Sequence, residues 1–128
     1  YARSDLANRN NADLLISIHN NAGLLKHTGS MTLYYPSSSK TKRNLSSYEF
    51  ANIVQRNMCN TLGSKDMGVI ERPGLAVLRT SNMPAVIAEI GYMSNASELS
   101  KLKTSAYQEK AAEALKKAVI ESLEKMYK

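Results

Sequence analysis

Pro84-Ala85-Val86-Ile87-Ala88-Glu89-Ile90-Gly91-Tyr92-Met93-Ser94-Asn95 is the stretch whose reading decides the fold. Five apolar residues lead into one carboxylate, and a glycine follows two residues later. Val86, Ile87 and Ile90 are β-branched, so the run predicts a strand buried on both faces. A glutamate is out of place there, because an unpaired charge in an apolar sheet is costly or becomes protonated. Two readings stand. Glu89 sits solvated at the strand end, or it faces a site at the carboxyl end of the strand, where open α/β sheets place their ligands.

Ala12-Asp13-Leu14-Leu15-Ile16-Ser17-Ile18-His19-Asn20-Asn21-Ala22 has the same form. An apolar strand is expected over Leu14–Ile18, with His19 at its end. A lone histidine is commonly structural. A histidine and a glutamate at the ends of two such strands point to a shared site, provided the two strands are neighbours in the sheet.

These two segments resemble the zinc-dependent N-acetylmuramoyl-L-alanine amidases, the cell-wall amidases of bacteria. The family pattern has a Ser-Ile-His strand end before a small Asn/Ala-rich loop, matched by Ser17-Ile18-His19 and the residues after it. Its later Pro-Ala-Val-x-x-Glu-x-Gly-aromatic-x-Ser-Asn strand is matched by Pro84–Asn95. The turn between Leu75–Arg79 and Met83-Pro84, and the closing helix, also match. The resemblance implies zinc as cofactor, His19 as one ligand and Glu89 as general base. It implies peptidoglycan as substrate and a location at the cell wall or outside the cell. The family's first zinc-binding histidine, in an Asp-Pro-Gly-His-Gly-Gly motif, and its ligand glutamate have no counterpart here. His27, the other histidine, has no family match. The chain is therefore expected to be the carboxyl-terminal part of a catalytic domain, residues 1–128, with an upstream segment of the same protein supplying the other two ligands. It begins with Tyr1 inside a helical pattern, as a piece of a longer protein would. Alone, it is expected to hold zinc poorly and to be inactive.

At 128 residues the chain is one domain by size. Hydrophobic residues at 43% and charged residues at 22% are ordinary for a globular protein. No apolar run is long enough to span a membrane, and no signal peptide is visible. One cysteine, Cys59, excludes an intrachain disulfide and reads as a small buried hydrophobe. The net charge is +6, from scattered lysines without the aromatic interleaving of a nucleic-acid surface. Only Lys40-Thr41-Lys42-Arg43 is tightly basic. It is either a solvated loop or an attachment point for an anionic wall polymer.

Residues 1–11 read as a helix tail that Asn8, Asn10 and Asn11 bring to an exit turn. Ser30–Tyr35 alternates polar and apolar residues, which predicts a strand with one less buried face, near an edge. Ser46-Ser47-Tyr48-Glu49 is a capping box opening a helix that stops at Gly63. Residues 63–74 read as a loop or short irregular strands, and Leu75–Leu78 as a short strand. Asn95-Ala96-Ser97-Glu98 and Ser105-Ala106-Tyr107-Gln108 are two more capping boxes. The last helix carries Tyr107, Ala111, Leu115, Ala118, Val119, Ser122 and Met126 on a face expected to pack on the sheet. Strands alternating with helices predict an α/β fold: a twisted, mainly parallel sheet with helices on both faces. The resemblance implies a mixed sheet of about six strands, of which this piece would supply about four, so that it is incomplete and has an unpaired edge.

In that reading His19 ligates as neutral imidazole, with its second ring nitrogen donating to a carbonyl or carboxylate. Glu89 takes a water proton and returns it to the leaving amine. Asn20 and Asn21 are turn residues or substrate contacts. Arg79 holds a peptide carboxylate or forms a surface salt bridge. Two other functions remain open: a non-catalytic amidase-like module that docks on peptidoglycan, and a different zinc hydrolase such as a peptidase.

Overall fold

The computed structural model describes residues 2–128; Tyr1, where the first expected helix begins, lies outside the described residues. Four strands form one sheet: β1 (Leu15–Asn21), β2 (Ser30–Tyr34), β3 (Asp66–Glu71) and β4 (Ala85–Tyr92), in the order β1-β4-β2-β3. β1 runs parallel to β4 and β2 parallel to β3, while β2 and β4 are antiparallel. Five helices surround the sheet: α1 (Ala2–Arg9), α2 (Ser47–Leu62), α3 (Ala76–Arg79), α4 (Ala96–Leu102) and α5 (Ser105–Met126). The expected mixed α/β sheet with helices on both faces is what forms.

The period of two in β4 sorts its side chains into two cores. Val86, Ala88 and Ile90 join Phe50, Val54 and Met58 of α2 and Leu115 and Ala118 of α5. Ala85 and Ile87 point the other way, onto Leu33 and the α3 residue Leu78. β4 is buried at all eight positions, because strands flank it and cores cover both its faces. α5 packs chiefly on α2 rather than directly on the sheet. Arg56 of α2 pairs there with Glu121 of α5, and this contact holds the Glu121 carboxyl below its ordinary value.

Three local expectations change. β2 is an interior strand, not an edge. Its polar residues Ser30 and Thr32 are fully buried because each hydroxyl finds a partner: Ser30 donates to the Ile90 carbonyl of β4 (2.7 Å), and Thr32 donates to Gln55 of α2. The Gln55 amide donates to the Ser30 carbonyl (2.8 Å) and to Asp66 Oδ1 (2.7 Å), and accepts from the Thr32 hydroxyl (2.8 Å). Leu75–Leu78 is not a strand: Leu75 is the N-cap of the four-residue α3. A four-residue apolar run does not distinguish a buried helical turn from a strand. Within residues 63–74 lies β3, whose pairing with β2 shifts register between Ser30 and Thr32. Thr104, one residue before the expected Ser105, caps α5 by accepting the Tyr107 N–H at 3.2 Å.

Gln55 carries a clear stability prediction. Replacing it with leucine leaves the buried Thr32 hydroxyl without its acceptor and takes a donor from the Ser30 carbonyl and from Asp66. The loss expected in urea unfolding is about 2–3 kcal/mol.

The basic cluster is structural. Lys40 is buried and donates to the carbonyls of Arg79 (2.6 Å) and Ser81 (2.5 Å), tying down the turn before β4. Burial lowers the pKa of this ammonium, and Arg79 adds to the effect. Lys42 donates to Asn11 and Ala12 and pairs with Asp13, while Arg43 stacks over the Tyr127 ring. The wall-polymer reading of residues 40–43 therefore loses its free cations.

Asp13 accepts from the Tyr127 hydroxyl at 2.6 Å, joining the chain's two ends. That bond, together with Lys42 and Arg43, holds its carboxyl below its ordinary value. A depressed folded-state pKa contributes stability above the unfolded value and loses it as pH falls through the folded one. Asp13→Asn is expected to lower Tm by a few degrees at pH 7. The gap between variant and parent should close as pH falls through the folded-state pKa of Asp13, where the parent carboxylate is protonated as well.

Candidate functional site

β1 and β4 run side by side, and in their register His19 is paired with Glu89. Adjacent strands lie about 4.8 Å apart, so these two positions far apart in the sequence become neighbours. Both residues sit inside their strands rather than at the tips, because β1 continues to Asn21 and β4 to Tyr92. Glu89 shares its face with Ala85 and Ile87, the face toward α3, and Met31 of β2 flanks it on the other side.

The two side chains differ in exposure. Glu89 is only 8% exposed, and its Oε2 is buried with no hydrogen-bond partner. Burial pushes its carboxyl pKa up, against the opposing pull of His19. His19 is exposed on the edge strand. Its Nε2 lies 3.0 Å from Ser17 Oγ, two residues back on the same strand face. One ring nitrogen thus meets a hydroxyl, where a carbonyl or carboxylate was expected beside the non-ligating nitrogen. The period of two, applied to Ser17-Ile18-His19, is the signal that would have identified it.

The two loops that leave these strands are tied together. Ser94 Oγ accepts the Gly23 N–H (3.0 Å) and donates to the Leu24 carbonyl (3.2 Å). The Asn95 amide donates to the Leu25 carbonyl (2.8 Å), and its oxygen caps α4. Glu98 Oε1 accepts from Gly29 N (2.8 Å) and Tyr92 N (2.9 Å). Glu98 therefore does not close the expected capping box: its carboxylate binds the ends of the β1–β2 loop and β4 instead. A Cβ at residue 91 would meet that oxygen at 2.9 Å, which is why a glycine stands there. His27 folds back within its loop, accepting the Leu24 N–H (3.2 Å) with its ring tilted on Tyr92.

Asn20 and Asn21 are strand residues rather than turn residues, and Arg79 is exposed with no ion pair among the described residues. A groove of about 550 Å³ runs along the unpaired edge of β1, lined by Leu6, Ser17, His19 and Val77 among others. Ile18, on the opposite strand face, is 65% exposed. Among the described residues no three His, Cys, Asp or Glu side chains are placed to hold a metal ion. A structural or catalytic zinc needs at least three protein ligands, so these residues complete no zinc site. In kind they suit part of one: an accessible imidazole, oriented by a hydroxyl, beside a buried carboxylate oxygen with no partner.

A family model described as N-acetylmuramoyl-L-alanine amidase matches residues 1–121. The chain is 36% identical over 104 residues to the N-acetylmuramoyl-L-alanine amidase LytC of Bacillus subtilis (strain 168), spanning 81% of this chain and 20% of LytC. Its fold superposes on the crystal structure of an N-acetylmuramoyl-L-alanine amidase from Clostridium difficile 630 with a TM-score of 0.86 and 35% identity. That match covers 96% of this chain and 64% of the other. The catalytic domain of CwlV, an amidase from Bacillus (Paenibacillus) polymyxa var. colistinus, gives a TM-score of 0.82 at 29% identity, covering 94% of this chain and 63% of CwlV's. This chain thus spans under two thirds of each of these relatives.

Proposed function

The chain belongs to the N-acetylmuramoyl-L-alanine amidase family, and from that premise we propose that it carries half of a zinc-dependent peptidoglycan amidase site. The bond cleaved is the amide between the muramic acid lactyl group and L-alanine. The observation that carries this reading is the pairing of His19 with Glu89, whose buried Oε2 has no partner. His19 holds the ion as neutral imidazole, steadied by Ser17. Two further ligands come from an upstream segment of the same protein, which covers the unpaired edge of β1. When bound, zinc polarises the scissile carbonyl and lowers the pKa of a coordinated water to about 7.

Glu89 moves the proton. Its carboxylate accepts a proton from the attacking water as the new C–O bond forms, then delivers it to the alanine nitrogen as the C–N bond breaks. Burial and the pull of His19 act on its pKa in opposite directions. Opposing influences of this kind suit a group that must both accept and release a proton. The site works on wall material, so the intact protein acts at the cell wall or outside the cell.

The test compares the full-length protein with its Glu89→Gln and His19→Ala variants, measuring bound zinc and peptide release from purified peptidoglycan. Zinc kept and release lost in Glu89→Gln, with zinc itself weakened in His19→Ala, is the expected pattern. Equal release by parent and Glu89→Gln removes Glu89 from the mechanism. No release by any of the three favours a module that docks on the wall without catalysis. Residues 1–128 alone are expected to bind zinc weakly and release nothing.

A further inference from the structure

At the end of β2 away from Glu89, the chain turns through Pro36 and three serines before α2 begins. Tyr34 pairs with Val86 near the start of β4, whereas Glu89 pairs with Met31. A cavity of about 280 Å³ opens here, just under the roughly 300 Å³ at which small-molecule pockets begin. Its walls include three tyrosines, Tyr34, Tyr35 and Tyr48, and the hydroxyls of Ser38, Thr41 and Ser47. No charged side chain lines it.

Two features of this cavity are unexplained by folding alone. Ser47 is 2% exposed and its hydroxyl has no hydrogen-bond partner, although leaving a buried hydroxyl unpaired destabilises a fold. Tyr48 stands 56% exposed at the cavity wall, its ring tilted against Tyr34 at 5.5 Å between centroids. Both lie in the first turn of α2, where backbone N–H groups lack intrahelical partners.

We propose that this cavity is a binding subsite for a neutral pyranose sugar, separate from the His19–Glu89 site. A pyranose has an apolar C–H face, suited to an aromatic ring, and a rim of hydroxyls that both donate and accept. Tyr48 supplies the ring, and Ser38, Thr41 and Ser47 meet the rim. Aromatic side chains with a polar end suit such half-apolar contacts. An anion is disfavoured: Glu49 sits in the same helical turn, and the nearby Lys40 is committed to the Arg79 and Ser81 carbonyls. The choice of an amino sugar as ligand rests on the peptidoglycan reading, and the subsite would hold the glycan at a second point.

The full-length protein, labelled with 15N-tyrosine, is titrated with N-acetylglucosamine and, in parallel, with chitotetraose, while its NMR signals are followed. Saturable shifts at Tyr34, Tyr35 and Tyr48 are expected, with Tyr92, beside the proposed catalytic site, unmoved. Ser47→Ala and Tyr48→Ala should each weaken binding at least tenfold. Ser47→Ala should leave Tm unchanged or higher, because it removes an unpaired buried hydroxyl. A response to chitotetraose alone identifies extended glycan as the ligand; a response to both, a single sugar ring. Silence at the three tyrosines with both probes overturns the proposal, as does binding unchanged in both variants. Hydrolysis plays no part in the readout, so a failed amidase assay and a failed subsite are distinguishable.

Discussion

Gly29→Ala is expected to cost about 3–5 kcal/mol, a large share of the roughly 5–15 kcal/mol that holds a domain of this kind. Two penalties act together. Gly29 has a φ of +109°, outside the range L residues adopt readily. A Cβ there would stand 2.5 Å from the Lys65 carbonyl oxygen and 2.8 Å from Met67 Cγ. The Met67 side chain can move aside. The Lys65 carbonyl cannot, because it accepts the Ser30 N–H at 2.9 Å, where β2 and β3 begin to pair. Gly29 itself donates to Glu98 through its N–H. Shifting Gly29 therefore loosens the β2–β3 start and the tie to α4 at once. Gly68→Ala is the control. Its φ of +87° is also positive, but nothing lies within 4 Å of the added carbon. It should cost only about 1–2 kcal/mol. Urea unfolding of the two variants side by side measures the difference; equal losses would show that conformational strain alone, not the Lys65 contact, sets the cost.

The parts of this molecule that the sequence made legible are those where one local rule acts alone. The Ser46–Glu49 capping box forms as written: Ser46 Oγ accepts from Glu49 N and Glu49 Oε1 from Ser46 N, both at 3.0 Å. Within Pro84–Asn95, Ala85–Tyr92 became a fully buried strand because nothing competes with its apolar run. Sequence reasoning failed where a distant partner reversed the local signal. Ser30 and Thr32 look like a solvent face until the Ile90 carbonyl of β4 takes up the Ser30 hydroxyl and Gln55, from α2, takes up that of Thr32. Glu98 looks like a capping-box residue until Gly29 and Tyr92 claim its carboxylate. The basic run at 40–43 looks free until Asp13 and the Arg79 and Ser81 carbonyls occupy its charges. At the candidate site the residue types were readable, since a carboxylate inside an apolar strand has few structural uses. Their meeting was not, because it depends on β4 being inserted beside β1 rather than on either strand's own pattern.

Glu89→Gln in the full-length protein is expected to lower peptide release by about 10²- to 10⁴-fold, the usual worth of a general acid–base group. The same change should stabilise the fold at neutral pH, and that combination separates a catalytic carboxylate from a structural one. Glu89 is buried with an unpartnered oxygen, and its pKa is raised. A carboxyl whose folded pKa lies above its unfolded value binds its proton more tightly when folded. It favours the folded state fully below the unfolded pKa, and that advantage is lost as pH rises through the folded one. At pH 7 the parent must either hold a charge in the sheet or take up a proton on folding, and the neutral glutamine amide does neither. With a chelator present to remove metal, the variant's advantage in Tm should therefore grow from about pH 4 to pH 7, where it is the larger. A carboxylate kept for structure would show the reverse, with Glu89→Gln less stable at pH 7 because a favourable contact had been lost. That result, with peptide release unchanged, would return Glu89 to the role of an ordinary buried acid.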